Sequence, residues 1–452
     1  MSQSLISRSP WDGEVVWTGT VADAGACAAA VSGAAQAFAG WSRDPDARRV
    51  ALERLAQICA SARPRSVELL IVEAGKCRAD AEAEADLLAK KIAVTLGPGL
   101  MRTPQHMGGA EAQIAWRPRG VAAVLGPFNF PLHLLHGLVV PALAVGCTVV
   151  AKPSERCPAL GALYATLIAE AGLDHVCRVV LGGADTARAL IAQPLIATVA
   201  AVGGRTTGLA LAQALAGRPE VVLALELGGV NHALVCDDAD LDGAATMIAE
   251  GAWRMAGQRC TATRIAHVPR RHLAGLLERL VGERQRWRPD GTPAGASGTL
   301  ISREAHERQQ SQWSTRPAGL ELTAGDPAAR FGSGWCADPL LLTLRDSSLR
   351  THQLATEEHF GPALVVDAYD DLDECIARSA ANPYRLAASI FTASRERFLE
   401  LAARLPYGQV NHNRPTAGAR SDLPFGGLGR AGNGRPAALA AGQIFADECV
   451  VW

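Results

Sequence analysis

The sequence predicts an α/β protein built on parallel sheets, and three features carry that expectation. Short apolar runs alternate with helical stretches between residues 120 and 225. The runs end in Gly, Pro or polar residues, at the positions where open parallel sheets bind ligands. A second region of the same texture begins near residue 226, so a chain of 452 residues is expected to hold more than one α/β unit.

The elements follow in order. Residues 22–40, 48–74 and 80–96 carry apolar residues at helical spacing, many of them alanine, so the first hundred residues read as mostly helical. No opening strand pair is legible ahead of them. Four β-like runs come next: 120–125 (GVAAVL), 147–151 (CTVVA), 178–181 (RVVL) and 198–202 (TVAAV). Helical stretches such as 159–171 and 209–215 separate or follow them. The second region holds strand candidates at 233–235, 265–268 and 363–369, with helices near 241–257 and 272–285. Residues 284–335, rich in Arg, Gly, Ser and Pro, read as surface. The last ten residues, QIFADECVVW, read as a terminal strand.

Composition removes several classes. Lys and Arg total 44 against 45 Asp and Glu, a net charge of −1, which argues against a nucleic-acid binder. The most apolar uncharged run, 134–151, is broken by Pro141 and Gly146 and reads as buried core rather than a membrane span. The N-terminus shows no apolar secretory segment. Eleven cysteines are scattered without a CxxC pair, so a reducing, cytoplasmic setting is expected, with neither a disulfide framework nor a metal site.

Several polar groups stand where chemistry needs them. Cys260 follows a helical segment beside Arg259, a cation that favours the thiolate; the alternative is a buried cysteine after a helix. Glu226 sits inside the apolar run ALELGG, where burial raises a carboxyl toward the range of a general base, or an arginine pairs with it. Asn129, in GPFNFP, is braced by two prolines and is placed either to donate to a developing oxyanion or to serve as a turn asparagine. Lys152 and Glu155, flanking Ser154 at a strand end, suit a ribose or phosphate, or form a solvated turn. Gly203, Gly204 and Gly208 lie in a strand-to-helix turn (GGRTTG) that resembles a phosphate-binding arrangement but is neither GxGxxG nor a P-loop. Glu357-Glu358-His359-Phe360 and Pro424-Phe425-Gly426-Gly427 are loops that say little singly.

Taken together and in this order, the segments resemble the aldehyde dehydrogenase superfamily over nearly the whole chain, from Glu73-Ala74-Gly75-Lys76 to Pro424-Phe425-Gly426-Gly427. Glu226 and Cys260 are 34 residues apart, the spacing usual in that family. The strings GPFNFPLHLLHGLVVPAL, ALELGGVN, AGQRCT, VNHNRPTAGA and GGLGRAGNGRP are most similar to the branch that oxidises succinylated glutamate semialdehyde in bacterial arginine catabolism. The resemblance implies an aldehyde dehydrogenase-like fold of two Rossmann-type α/β domains plus a small β oligomerisation element. The NAD-binding domain would span 1–102 and 119–225, the catalytic domain 226–429, and the oligomerisation element 103–118 and 430–452, giving a homodimer or homotetramer.

The same resemblance implies the roles. Cys260 would be the nucleophile, Glu226 the base and Asn129 an oxyanion donor. Lys152, Ser154, Glu155, Gly203, Gly204, Gly208, Gly228, Glu358 and Phe360 would hold NAD, the carboxylate at 155 disfavouring a 2′-phosphate. Arg259, Arg414 and Arg435 would meet substrate carboxylates. The rival readings are a dehydrogenase for another aldehyde, a CoA-acylating or thioesterase-like enzyme, and a non-catalytic protein that retains the fold. Three positions depart from the family pattern: Gly204 for Ser, His232 for Pro and Ala387 for Gly. The expectation is that they bear on substrate and cofactor affinity.

Overall fold

A computed structural model of the chain describes residues 4–104, 107–108 and 112–452. It opens on an antiparallel hairpin, Ser4–Arg8 with Val15–Thr20, where the sequence reading finds none. The reason is physical: neither strand shows a clean alternation, and most of their residues stay part-exposed. Four helices follow, Ala24–Arg43, Pro45–Ser61, Arg63–Ala74 and Arg78–Val94. The first two start at aspartate caps, Asp23 accepting from Ala26 N and Asp44 from Ala47 N, both at 2.8 Å.

Two sheets organise the rest. The first runs in the order Gly432–Asn433, Val222–Glu226, Ile196–Val202, Val121–Leu125, Thr148–Lys152, Cys177–Val179, parallel except for its first strand. Consecutive strands step outward to Cys177–Val179, and the chain then returns to the other side of Val121–Leu125. The switch in strand order therefore falls between Val121–Leu125 and Ile196–Val202, the position at which such sheets open a ligand crevice. Side-chain alternation is visible in the core. Ala122 and Val124 pack with the early helices, while Val121, Ala123 and Leu125 face the opposite cluster. Every residue of that strand is buried because helices cover both faces.

The second sheet runs Leu320–Ala324, Leu340–Leu344, Ala363–Tyr369, Thr263–Pro269, Asn231–Val235, Ala387–Phe391, Gln409–His412, parallel except for Leu320–Ala324. It too is buried on both faces. A third, small sheet joins Met107–Gly108, Gln113–Pro118 and the terminal strand Ala446–Val451, which lies at its edge. Part of the segment 103–118, namely 105–106 and 109–111, lies outside the described residues.

The stretch 284–335 is not all surface. Arg284 pairs with Asp338 in the interior, and Trp313 packs in the second sheet's core. His232 and Ala387 stand in adjacent buried strands, away from any ligand crevice. His232 belongs to a polar network: its Nδ1 meets Ser379 Oγ at 2.9 Å, and its Nε2 takes the Asn382 amide at 3.0 Å. His267 adjoins it and pairs with Asp367. Both residues therefore sit in the packing of the second sheet rather than in the cavity wall, and the Ala387 N–H donates to Asn231 Oδ1 at 3.0 Å.

A buried carboxylate positions the segment that follows Val121–Leu125. Glu84 Oε1 accepts from Leu132 N and His133 N, both at 3.0 Å, at the start of helix His133–Val145. Its Oε2 pairs with Lys76 at 2.9 Å in the interior. Glu84→Ala strands a buried ammonium and two helix N–H groups, so we expect a loss of about 3–5 kcal/mol in denaturant unfolding. Glu84→Gln keeps the backbone acceptor and is expected to lose less.

Candidate active site

A cavity of about 880 Å³ opens between the carboxyl edge of the first sheet and the amino edge of the second. The first sheet contributes strand ends: Gly126, Lys152, Gly203, Glu226 and Gly228. The second contributes residues that lie just before its strands, Cys260 and Phe360 among them.

Cys260 sits on a loop of unusual backbone. After helix Leu241–Trp253, three successive residues, Met255, Ala256 and Gly257, take positive φ of 57°, 51° and 67°. For the two residues that carry a Cβ this costs ~1–3 kcal/mol each, so the surroundings must enforce it. They do so through the loop carbonyls. Arg264 donates to the oxygens of Gly257 (2.9 Å) and Arg259 (3.2 Å), and Asn129 Nδ2 to that of Gln258 (3.0 Å). Asn231 Nδ2 reaches the oxygens of Cys260 and Ala262, both at 2.8 Å. The Gln258 side chain ties the loop to Thr299 O and Ile301 N. Asn129 uses one amide hydrogen on the loop, and the residue itself lines the cavity.

Cys260 is half-buried, one of only two cysteines of the eleven that are not fully buried. Its thiol is pushed up to about 12, first by burial, then by the charges of Glu226 and Glu358. Arg259 does favour the thiolate, as expected, but only weakly. The Arg259 side chain turns back to the end of the preceding helix, donating to Glu250 O at 2.7 Å, and its pull on the thiol is the weakest of the influences.

Glu226 ends strand Val222–Glu226 and is 4% exposed. Burial raises its carboxyl to about 8, against the opposing pull of the Gly427 backbone N–H and Arg435. Oε1 has no hydrogen-bond partner among the described residues. Glu358, held by Gly229 N at 3.0 Å, is likewise raised to about 7 by burial. Its carboxylate lies directly over Gly228, where a Cβ would come 1.9 Å from Oε2, so a side chain there would displace the Glu358 carboxylate. Phe360, at a positive φ of 50°, meets Phe128 edge to face at 5.7 Å.

The other end of the cavity suits a dinucleotide. Lys152 Nζ is buried, bonded to Gly182 O (2.7 Å) and Pro153 O (3.0 Å) and near Glu155 (3.4 Å); Ser154 and Glu155 line the wall beside it. Helices Ala184–Ile191 and Arg205–Leu215 both begin at glycines, Gly183 and Gly204, with no side-chain cap bond, and both starts line the cavity. Two uncapped helix N-termini present partial positive charge to a pyrophosphate. Gly204 leaves open space where a side chain would stand.

Three expected residues are not in the cavity wall. Gly208 faces Leu227 and lets its helix approach the first sheet. Arg414 is exposed elsewhere. Arg435, at φ 44°, donates to Gly408 O at 3.1 Å and faces Glu226 from behind. For the two arginines the cause is that a short string does not say on which side of the backbone a side chain leaves; for Gly208 it is that the glycine lies one turn into its helix, on the face against Leu227. Conversely, sequence reasoning missed Arg264 and Asn231, which shape the Cys260 loop, and Lys91 and His133, which line the cavity. For Lys91 a signal existed: Asp80, Glu84, Leu87 and Lys91 recur at spacings of four, three and four, one helix face.

The two raised acids give a signed expectation. Below about pH 8 Glu226 is neutral and imposes no repulsion on a thiolate; above it the charge opposes ionisation of Cys260. Glu226→Gln should therefore speed alkylation of Cys260 by iodoacetamide at pH 9 and leave it unchanged at pH 6. Equal acceleration at both pH values would contradict this electrostatic account.

The aldehyde dehydrogenase family model matches residues 1–447. N-succinylglutamate 5-semialdehyde dehydrogenase of Klebsiella pneumoniae is 38% identical over 98% of this chain and 90% of its own length. A Caulobacter vibrioides protein, N-succinylglutamate 5-semialdehyde dehydrogenase 1, is also 38% identical, over 98% and 94%. Among solved structures, aldehyde dehydrogenase C of Pseudomonas syringae, complexed with NAD+ and octanal, superposes with a TM-score of 0.94 at 29% identity, covering 99% of this chain and 93% of that one. Thermus 1-pyrroline-5-carboxylate dehydrogenase with bound NAD gives 0.92 at 25% identity, covering 100% and 90%. The chain belongs to the aldehyde dehydrogenase family of oxidoreductases.

Proposed function

We propose that the protein oxidises an aldehyde bearing two carboxylates, N-succinylglutamate 5-semialdehyde, to the corresponding acid with NAD. The observation that carries this reading is the convergence of Cys260, Glu226 and Asn129 on one cavity whose far end presents two uncapped helix starts. The names of the relatives supply the substrate.

The residues act as follows. Cys260 gives its proton to water in the cleft and attacks the aldehyde carbon as the thiolate. The oxyanion formed takes hydrogen bonds from the free amide hydrogen of Asn129 and the Cys260 backbone N–H, which has no acceptor among the described residues. Lys152, Ser154, Glu155 and Glu358 hold the ribose hydroxyls, and Gly203, Gly204 and Gly228 allow close backbone approach. Phe360 flanks the nicotinamide ribose. NAD, when bound, supplies the hydride acceptor. Water that Glu226 deprotonates attacks the thioester carbon on Cys260, the C–S bond breaks, the acid is released, and the Cys260 sulfur remains on the protein and regains its proton.

The terminal strand Ala446–Val451 supports assembly into a homodimer or homotetramer, since it is an edge strand with Val450 and Trp452 exposed. A cytoplasmic setting is supported by eleven unpaired cysteines. Among the described residues no helix is long and apolar enough to cross a membrane.

Steady-state NADH formation tests the mechanism. Cys260→Ala is expected to be inert, and Asn129→Ala to lose roughly 10²–10³ in kcat. Glu226→Gln should release one equivalent of NADH per site and then stall. In the parent, turnover should rise with pH and level off above about 8, because only the ionised Glu226 accepts a proton. Sustained turnover by the Gln variant, with an unchanged pH profile, would rule out Glu226 as the base.

A further inference from the structure

The cavity wall opposite the cofactor end carries an ammonium without a counter-ion. Lys91, on helix Arg78–Val94, is 2% exposed and lines the cavity. Its Nζ donates to Ala438 O at 2.8 Å, and no carboxylate pairs with it among the described residues. Arg254 of the wall pairs with Asp80 (2.7 Å) and Glu250 (3.2 Å), Lys152 meets two carbonyls and Glu155, and Arg259 meets helix carbonyls. Arg205 and Arg308 also line the cavity, but at its cofactor end, where Arg205 opens helix Arg205–Leu215 and Arg308 faces Glu358. Lys76, on the same side of the molecule, is neutralised by Glu84.

A buried ammonium with one neutral acceptor is costly unless an anion joins it. Burial holds Lys91 down to about 8, which leaves it mostly charged at neutral pH. His133 lines the same wall, and its Nδ1 is buried without a partner. Burial and the nearby Lys91 and Lys76 charges keep that ring neutral, so it offers an N–H or a lone pair and adds no charge. The position relative to the chemistry is set by the Ala437–Ala438 strand. Ala437 and Ala438 border the small apolar cluster that Cys260 also borders, and the Ala438 carbonyl is the acceptor for Lys91. Ala438 thus links the Cys260 end of the cavity to Lys91 along one wall.

We propose that Lys91, with His133 beside it, binds the carboxylate at the far end of the substrate and sets the preference for carboxylated over neutral aldehydes. This rests on the dicarboxylic-aldehyde reading above and assigns it a residue.

Steady-state kinetics with N-succinylglutamate 5-semialdehyde and with hexanal separate the possibilities. Lys91→Gln retains a donor for Ala438 O but removes the charge. It is expected to raise KM for the dicarboxylic aldehyde about 10- to 100-fold, the range for a hydrogen bond to a charged group. kcat should stay within about threefold, so that the KM ratio of the two aldehydes collapses, and Lys91→Arg should restore much of it. An equal rise for both aldehydes, or no rise, overturns the assignment. A parent enzyme that itself shows no preference over hexanal overturns the substrate reading instead. If Lys91→Gln fails to fold, amine acylation of the intact wild-type enzyme decides. Saturating N-succinylglutamate should slow modification of Lys91 at least fivefold, and unchanged labelling refutes the proposal.

Discussion

Four carbonyl oxygens between Gly257 and Cys260 must be satisfied inside the protein, and the side chains that satisfy them fix the reactive loop. Arg264 takes two, Asn129 one and Asn231 one. Each donor is itself anchored in regular structure: Arg264 and Asn231 in the second sheet, Asn129 just after a strand of the first. The loop therefore bridges two independently cored sheets, and its left-handed residues persist because those donors over-determine the backbone. With the carbonyls turned toward protein, the Cys260 N–H and the remaining Asn129 hydrogen are left for the cavity. The shape of the loop and its capacity to stabilise an oxyanion have the same origin.

The electrostatics of the cleft follow from what the loop faces. A half-buried thiol and two buried carboxyls line one cleft: burial raises all three, and the two carboxylates raise the thiol further. The cations offset this only in part: Arg435 lowers Glu226, Arg264 and Arg308 lower Glu358, and Arg259, turned to the helix end, lowers the thiol least of all. Such a cleft holds its protons and keeps the thiol quiet until ligands change the field. Selectivity against adventitious thiol chemistry is a physical consequence of that arrangement, with the reaction step favoured only where the oxyanion donors are engaged.

Much of this was readable beforehand, and the exceptions have identifiable causes. The parallel strands declared themselves because both faces are buried, which yields continuous apolar runs such as VAAVL and TVVA. The opening hairpin did not, because a part-exposed two-stranded ribbon carries little hydrophobic signal. Cys260, Glu226 and Asn129 were legible as motifs because each stands at a strand end or a braced loop. Side-chain direction was not legible: Arg435 sits in the most distinctive C-terminal string yet turns to Gly408, and Arg259 adjoins the thiol in sequence yet caps a helix. His232 looked like a change near the ligand because ALELGGVN is a site motif, but strand alternation sends it to the far face, into a network with Ser379 and Asn382.

Helix Arg78–Val94 shows how one polar stripe serves both the scaffold and the cavity. Asp80 secures Arg254 at the start of the left-handed turn, and Glu84 caps the helix that follows Asn129. Both residues are acidic and both are matched by cations or N–H groups. Lys91, two turns further along the same face, is matched by a single carbonyl. A helix that pairs its first buried charges and leaves the last one unpaired is not explained by stability alone, since replacing a lone buried ammonium by an apolar residue removes a desolvation cost. The asymmetry is accounted for when the missing partner arrives with the substrate. The two acids then hold the architecture of the reacting end, and the lysine measures the length and charge of what enters it.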